Sequence, residues 1–205
     1  DLSRFKHVGF VQGSVGTDTL IGPDAAATWN FGRDGHSVIS NGWRTTFEFD
    51  IETVQGGTSE DQFLISSNAT LIPTLFGGGG SAVDTLDAAT IPAAVSLDLV
   101  TGNLEYTIGP FSQLVMVPTN GIEQFYGSGA FGGVVKGRNE QADWRIIDGT
   151  NWKYNDSIHL LNFTDIQAGD QNDRFAFDSE FVFINGSLDG GGGSNTLDYS
   201  AIEYL

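Results

Sequence analysis

The stretch Ile51-Glu-Thr-Val-Gln-Gly-Gly-Thr-Ser-Glu-Asp-Gln-Phe63 returns 112 positions later as Phe163-Thr-Asp-Ile-Gln-Ala-Gly-Asp-Gln-Asn-Asp-Arg-Phe175. Downstream, Leu75-Phe-Gly-Gly-Gly-Gly-Ser81 matches Leu188-Asp-Gly-Gly-Gly-Gly-Ser194, and Thr85-Leu-Asp87 matches Thr196-Leu-Asp198. Upstream, Gly22-Pro-Asp-Ala-Ala-Ala-Thr-Trp29 matches Gly137-Arg-Asn-Glu-Gln-Ala-Asp-Trp144 more weakly. The offset drifts from 111 to 115, as loops do when they vary around a fixed frame. A unit of about 112 residues thus occurs twice, the second time shortened. We expect 1–121 to be the first unit with its lead-in and 122–205 the second, both in one continuous body. A start at Asp1 and an end within the repeat are what a piece of a longer array gives.

A shorter frame recurs inside each unit, beginning at Gly13, Gly56, Gly79, Ala168 and Gly190. Small residues come first, then Asp or Asn at the sixth place, then a large apolar residue at the eighth: Leu20, Phe63, Leu86, Phe175 and Leu197. Glycine supplies the tight turn, since it alone takes positive φ freely. The eighth residue starts a short strand and faces inward. Between the turns, Thr46-Phe-Glu-Phe-Asp50 and Val95-Ser-Leu-Asp-Leu99 alternate apolar with polar, and Phe181-Val-Phe-Ile184 is β-rich. Asp24-Ala-Ala-Ala-Thr28 has room for one helical turn and no more. Short strands, regular glycine corners and a long period predict an all-β chain wound as a parallel β-helix or β-solenoid, because one coil cannot bury its apolar face alone. At roughly 20–25 residues per coil the chain makes about eight or nine coils, a rod roughly 40 Å long. An antiparallel β-sandwich is the alternative that turn signals every 8–12 residues also permit.

Composition narrows the functional classes. The 205 residues hold 26 acidic and 9 basic side chains, for a net charge of −17. Such a surface repels phosphate backbones, so nucleic acid is not an expected partner. With no cysteine there is no disulfide, thiolate metal site or thiol chemistry. No apolar run of 18 residues is present, so no helical membrane span is expected. Between Arg44 and Lys136 there is neither Lys nor Arg, while ten acidic residues lie there. This middle section reads as a solvated face of one sign that gathers cations.

The frame matches the nonapeptide G-G-x-G-x-D-x-U-x, whose carboxylates hold calcium between stacked turns. Segments 13–21, 51–64 and 188–200 resemble the diverged repeats of haemolysin-type (RTX-like) and filamentous-haemagglutinin-like bacterial exoproteins. The resemblance covers most of the chain. It implies a secreted or surface-attached β-solenoid acting as adhesin stalk, fibre or matrix component, joined to neighbouring repeats or to other copies of itself, with calcium driving folding in some members. Asp18, Asp61, Asp84 and Asp173 are the calcium candidates. Here, however, no two nonamers adjoin, and Asn195 replaces the last Asp. A hard cation wants six to eight oxygens. The competing reading is that each Asp caps its own turn, leaving no required cofactor.

Catalytic patterns are weak. Gly127-Ser-Gly-Ala-Phe-Gly132 fits G-x-G-x-x-G but lacks a following helix, so it reads as a turn. No G-x-S-x-G occurs. His7, His36 and His159 share no metal spacing; His36 reads as a turn residue and His159 as facing solvent or a polar turn. A polysaccharide-degrading centre needs paired carboxylates with a basic residue to grip an acidic sugar, and Arg33, Arg44, Arg138 and Arg145 are the cations available in equivalent regions. A catalytic centre is normally unique, whereas these features are duplicated, so no enzyme is expected. Trp29 and Trp144 hold matching repeat positions and are expected in the core. Trp43 and Trp152 have polar neighbours and are the candidates for a surface that binds cell-surface or matrix glycans.

Overall fold

The computed structural model describes residues 8–117, 121–180 and 182–202. These residues are all-β, with no helix among them. The strands are β1 (Phe10–Val11), β2 (Thr19–Ile21), β3 (Ala27–Gly32), β4 (Gly35–Ser40), β5 (Trp43–Phe47), β6 (Thr53–Gln55), β7 (Asp61–Ile65), β8 (Thr74–Phe76), β9 (Thr85–Asp87), β10 (Val95–Asp98), β11 (Asn103–Ile108), β12 (Phe111–Met116), β13 (Gln124–Tyr126), β14 (Gly133–Lys136), β15 (Asp143–Asp148), β16 (Asn151–Tyr154), β17 (Ile158–Leu161), β18 (Asp165–Gln167), β19 (Arg174–Phe177), β20 (Leu188–Asp189) and β21 (Thr196–Asp198). Asp24–Thr28 makes a bend and enters β3 instead of closing a helical turn.

A long twelve-stranded sheet runs β1-β5-β4-β3-β7-β9-β13-β17-β16-β15-β19-β21. The remaining strands form a three-stranded sheet, β2-β6-β8, and a six-stranded sheet, β12-β11-β10-β14-β18-β20. The two shorter sheets meet where β8 lies against β12. Successive strands mostly alternate between the long sheet and the shorter ones, and such pairs stack in parallel: β3, β7, β9, β13 and β17 on one side, β10, β14, β18 and β20 on the other. Three excursions break that rule. β3-β4-β5, β10-β11-β12 and β15-β16-β17 are antiparallel meanders within a single sheet. The sheets are therefore mixed, not uniformly parallel.

The meanders have local causes. Asn41 (φ 51°) and Gly42 (φ 78°) form the two-residue link between β4 and β5, both in the left-handed region that a tight hairpin of primed type requires. Gly102 and Gly109 have positive φ at the two turns of the second meander. Asn155 (φ 49°) and Asp156 (φ 52°) open the turn between β16 and β17. Glycine or a short polar residue that tolerates this region stands at each of these points, so the backbone reverses instead of crossing to the opposite sheet.

Strands β1–β9 and β13–β21 follow the same partner order. β5 pairs with β1 as β17 does with β13, and β3 with β7 as β15 does with β19. The inward residues line up accordingly. Trp29 faces Phe63 and then Leu86; Trp144 faces Phe175 and then Leu197. Trp29 stacks on Phe63 at 6.0 Å and 10°, and Trp144 on Phe175 at 6.3 Å and 14°. Opposite them, Leu20, Val54 and Leu75 form one row, and Leu97, Val135, Ile166 and Leu188 another. Removing such side chains from water is worth about 1.5–3 kcal/mol each.

Candidate functional site

The glycine corners place the candidate carboxylates, and each of them caps backbone. Asp18 accepts from the Ser14 amide at 2.6 Å. Asp61 Oδ2 accepts from the Gly57 amide at 2.8 Å, and its Oδ1 from the Trp29 indole at 3.0 Å. The Asp61 amide donates to Asp84 Oδ1 at 2.7 Å, and the Asp84 amide donates to Glu123 Oε2 at 2.9 Å. In the second half the Ala142 amide donates to Asp173 Oδ1, and the Asp173 amide donates to Asn195 Oδ1, both at 2.9 Å. The carboxylate or amide of one layer thus closes the layer before it. Asn195 does this as well as Asp, which explains the substitution.

Burial leaves these acids electrostatically exposed to one another. Asp84 is pushed up to about 7 by burial first, and then by the negative charges of Asp61, Glu123 and Glu60. Burial also raises Asp61 and Asp173. Trp144 Nε1 and Asp173 Oδ2 are buried without a hydrogen-bond partner, whereas the equivalent Trp29 and Asp61 are bonded.

Both oxygens of Asp61 and Oδ1 of Asp84 already receive N–H donors, and among the described residues no three of His, Asp or Glu converge as metal ligands. Chelation is accordingly expected to leave the melting temperature and the β circular-dichroism signal unchanged. A fall of several degrees on adding chelator, restored by calcium, would reinstate the cation.

The aromatic candidates separate. Trp43, at the start of β5, is 57% exposed. Trp152 lies in β16 with its ring fully buried against the core, so it offers no face to a ligand; this corrects the expectation drawn from its polar neighbours. Strand alternation is the reason. Asn151 and Lys153 point to the opposite face from Trp152. Trp29 and Trp144 are fully buried.

His36 is also a correction: it lies within β4, 1% exposed, among the rings of Phe31, Phe47 and Phe49. Burial lowers its pKa, so it is neutral near pH 7. His159 is half-buried, and its Nε2 lies 2.5 Å from Asn151 Oδ1. His7 lies outside the described residues. The glycine-rich stretch 127–132 closes as a turn through a Ser128–Gly132 bridge, with Ser128 Oγ donating to the Ile91 carbonyl.

One cleft escaped the sequence reading. It measures about 590 Å³ beside β5, where Phe10 and Phe49 flank Arg44 and the carboxylates of Asp34, Glu48 and Asp50. No motif signals it, because its residues meet only through the first meander. Arg33, Arg44, Arg138 and Arg145 do not gather. Arg145 pairs with Asp178 at 2.8 Å on the exposed face of the second half, beside Arg174, which bridges Asp143 and Asp198. Exposed pairs of this kind add little to stability. The charged groups that act on the buried Asp84 are Asp61, Glu123 and Glu60, all acidic. No protein-family model, curated protein or solved structure matches the chain.

Proposed function

We propose that the chain is a structural repeat module of a large secreted or cell-surface bacterial protein, a length of adhesin stalk, extracellular fibre or matrix. In this reading it is a β-solenoid with switchbacks, built from a duplicated unit of about 112 residues, 1–121 and 122–205, in one continuous column. The observation that carries the reading is the shared partner order of β1–β9 and β13–β21, which brings Leu86 of one half onto Phe125 of the next in register. Repetition at this level serves length and spacing. Its buried acids serve as backbone caps, not as an acid–base pair, so the module carries no catalytic step and requires no cofactor. Its partners are neighbouring repeats or further copies. The resemblance to RTX-like and filamentous-haemagglutinin-like repeats supports the placement outside the cell.

The test is antibody labelling of intact bacteria that make the protein. Labelling before lysis, and its loss on protease shaving, is the expected result. Labelling only after lysis would remove the reading.

One observation favours a second role, as a glycan-binding adhesin unit: Trp43 is 57% exposed on β5, next to Arg44, which lines the 590 Å³ cleft together with Thr46 and Phe47. If sugars stack there, Trp43→Ala weakens binding on a glycan array by at least about tenfold, a stacking contribution of about 1.4 kcal/mol or more, without moving the melting temperature. Silence of the wild-type chain across the array would dismiss that role.

A further inference from the structure

Among the described strands, the long sheet ends on β1 at one side and on β21 at the other. Each edge carries backbone donors and acceptors that a further strand can use. The β21 edge is also apolar. Leu197 is 55% exposed, although Leu86, which holds the same place in β9, is fully buried. The difference is the next strand. Phe125 of β13 lies over Leu86, while no described strand lies over Leu197. Exposed Tyr199, stacked on Phe177, extends the patch.

The opposite edge has the matching element. β1 stands to β5 as β13 stands to β17: Val11 pairs with Phe47 as Phe125 pairs with Leu160. The internal seam between β9 and β13 is therefore a template for a joint between β21 and another β1. The joint lacks the local carboxylate repulsion of the seam, and it also lacks the hydrogen bond from the Asp84 amide to Glu123. Inside the chain Asp84 meets Glu123. At the open edges the equivalent positions are Asn195 and Gly9, both neutral.

We propose that the β21 edge docks a second copy of the chain head to tail, with β21 pairing in parallel with β1 of the next copy. Thr196 then lies opposite Phe10, Leu197 opposite Val11 and Asp198 opposite Gln12, the register in which Thr85, Leu86 and Asp87 meet Gln124, Phe125 and Tyr126. This rests on the stacked-column reading above and adds the contacting edges. β10–β12 widen the opposite face at the internal seam, and no such strands stand at this joint among the described residues, so the contact is confined to the long sheet. The charge of −17 on each copy opposes it. Association is accordingly concentration-dependent, strengthened by salt and open-ended.

The absence of cysteine makes the test direct. Phe10→Cys and Thr196→Cys chains, mixed and oxidised in about 0.5 M salt to screen the charge, should give a mixed disulfide dimer at least tenfold in excess of either variant alone. Adding Leu197→Lys to the Thr196→Cys chain should abolish the product while leaving circular dichroism unchanged. Sedimentation of the wild-type chain should show mass rising with concentration. A monomer at every concentration overturns the proposal, and so does Thr196→Cys linking to itself as readily as to Phe10→Cys, which marks a tail-to-tail contact. Either failure leaves the surface-labelling test of the module untouched.

Discussion

Gly77→Ala lowers the unfolding free energy by about 3 kcal/mol or more, an effect reserved for backbone collisions and core damage. Gly77 lies in the turn after β8, and a Cβ there would sit 1.3 Å from the Gly121 carbonyl oxygen and 2.5 Å from Asp84 Oδ2. Both obstacles are close, and the nearer one is backbone. A methyl group can be accommodated only by parting the turn that leads into β9 from the one that leads into β13, which is where the two halves meet. Gly79→Ala is the control. That position has open space around it and no left-handed φ, so the melting temperature stays within a degree or two. Equal and small effects at both positions, measured by urea unfolding, would show that the turns do not pack as described.

Acidification from pH 8 to 5 stabilises the chain, and Asp84→Asn removes much of that dependence. A carboxyl whose folded pKa is raised to about 7 from 3.8 stays protonated in the native state after it has ionised in the unfolded one. Its contribution is complete below about pH 4 and is lost as pH rises through about 7. The charges of Asp61, Glu123 and Glu60 act on it and oppose its ionisation. Asn keeps the oxygen that accepts from the Asp61 amide and cannot ionise; the second half already uses Asn195 in this way. At pH 8, Asp84→Asn should gain about 1–2 kcal/mol, less than the full shift implies because the surrounding Gly79, Gly80, Ser81 and Val83 are exposed and water screens the charge. Below about pH 4 the advantage vanishes. There Asp198, held down to about 2, and Asp165, also lowered, begin to lose their native hydrogen bonds, so stability falls again. A flat profile from pH 8 to 5, or a loss at pH 8 in Asp84→Asn, would mean that the acid is not confined in this way.

Much of the layering could be read from residues. The eighth place of the short frame is buried at Leu20, Phe63, Leu86 and Phe175. Leu197 breaks the pattern because burial is supplied by the following strand, and a local frame carries no record of its neighbour. The meanders were harder to read. Asn41-Gly42 is a strong hairpin signal, but the 112-residue period hides it, since a regular coil and a switchback repeat equally well. Trp152 reads as exposed because of its polar neighbours, and His36 reads as a turn residue because Asp34-Gly35 precedes it, although β4 begins at Gly35. In a strand the neighbours of Trp152 point the other way, so Asn151 and Lys153 argue for a buried Trp152. The cleft near Arg44 joins residues from β1, the β3–β4 turn and the end of β5, a meeting that depends on pairing between strands and leaves no trace in spacing.

The switchbacks also constrain the order in which the molecule can assemble. After β1 the chain lays down β3 and β4 before β5 returns to sit beside β1, and the second half repeats this with β13 and β17. A column built one coil at a time from its amino-terminal end would have to leave a two-strand gap at each such place. The meanders themselves close through short local turns, which form in microseconds. Nuclei at β3–β5, β10–β12 and β15–β17 can therefore form separately and then join along the sheets.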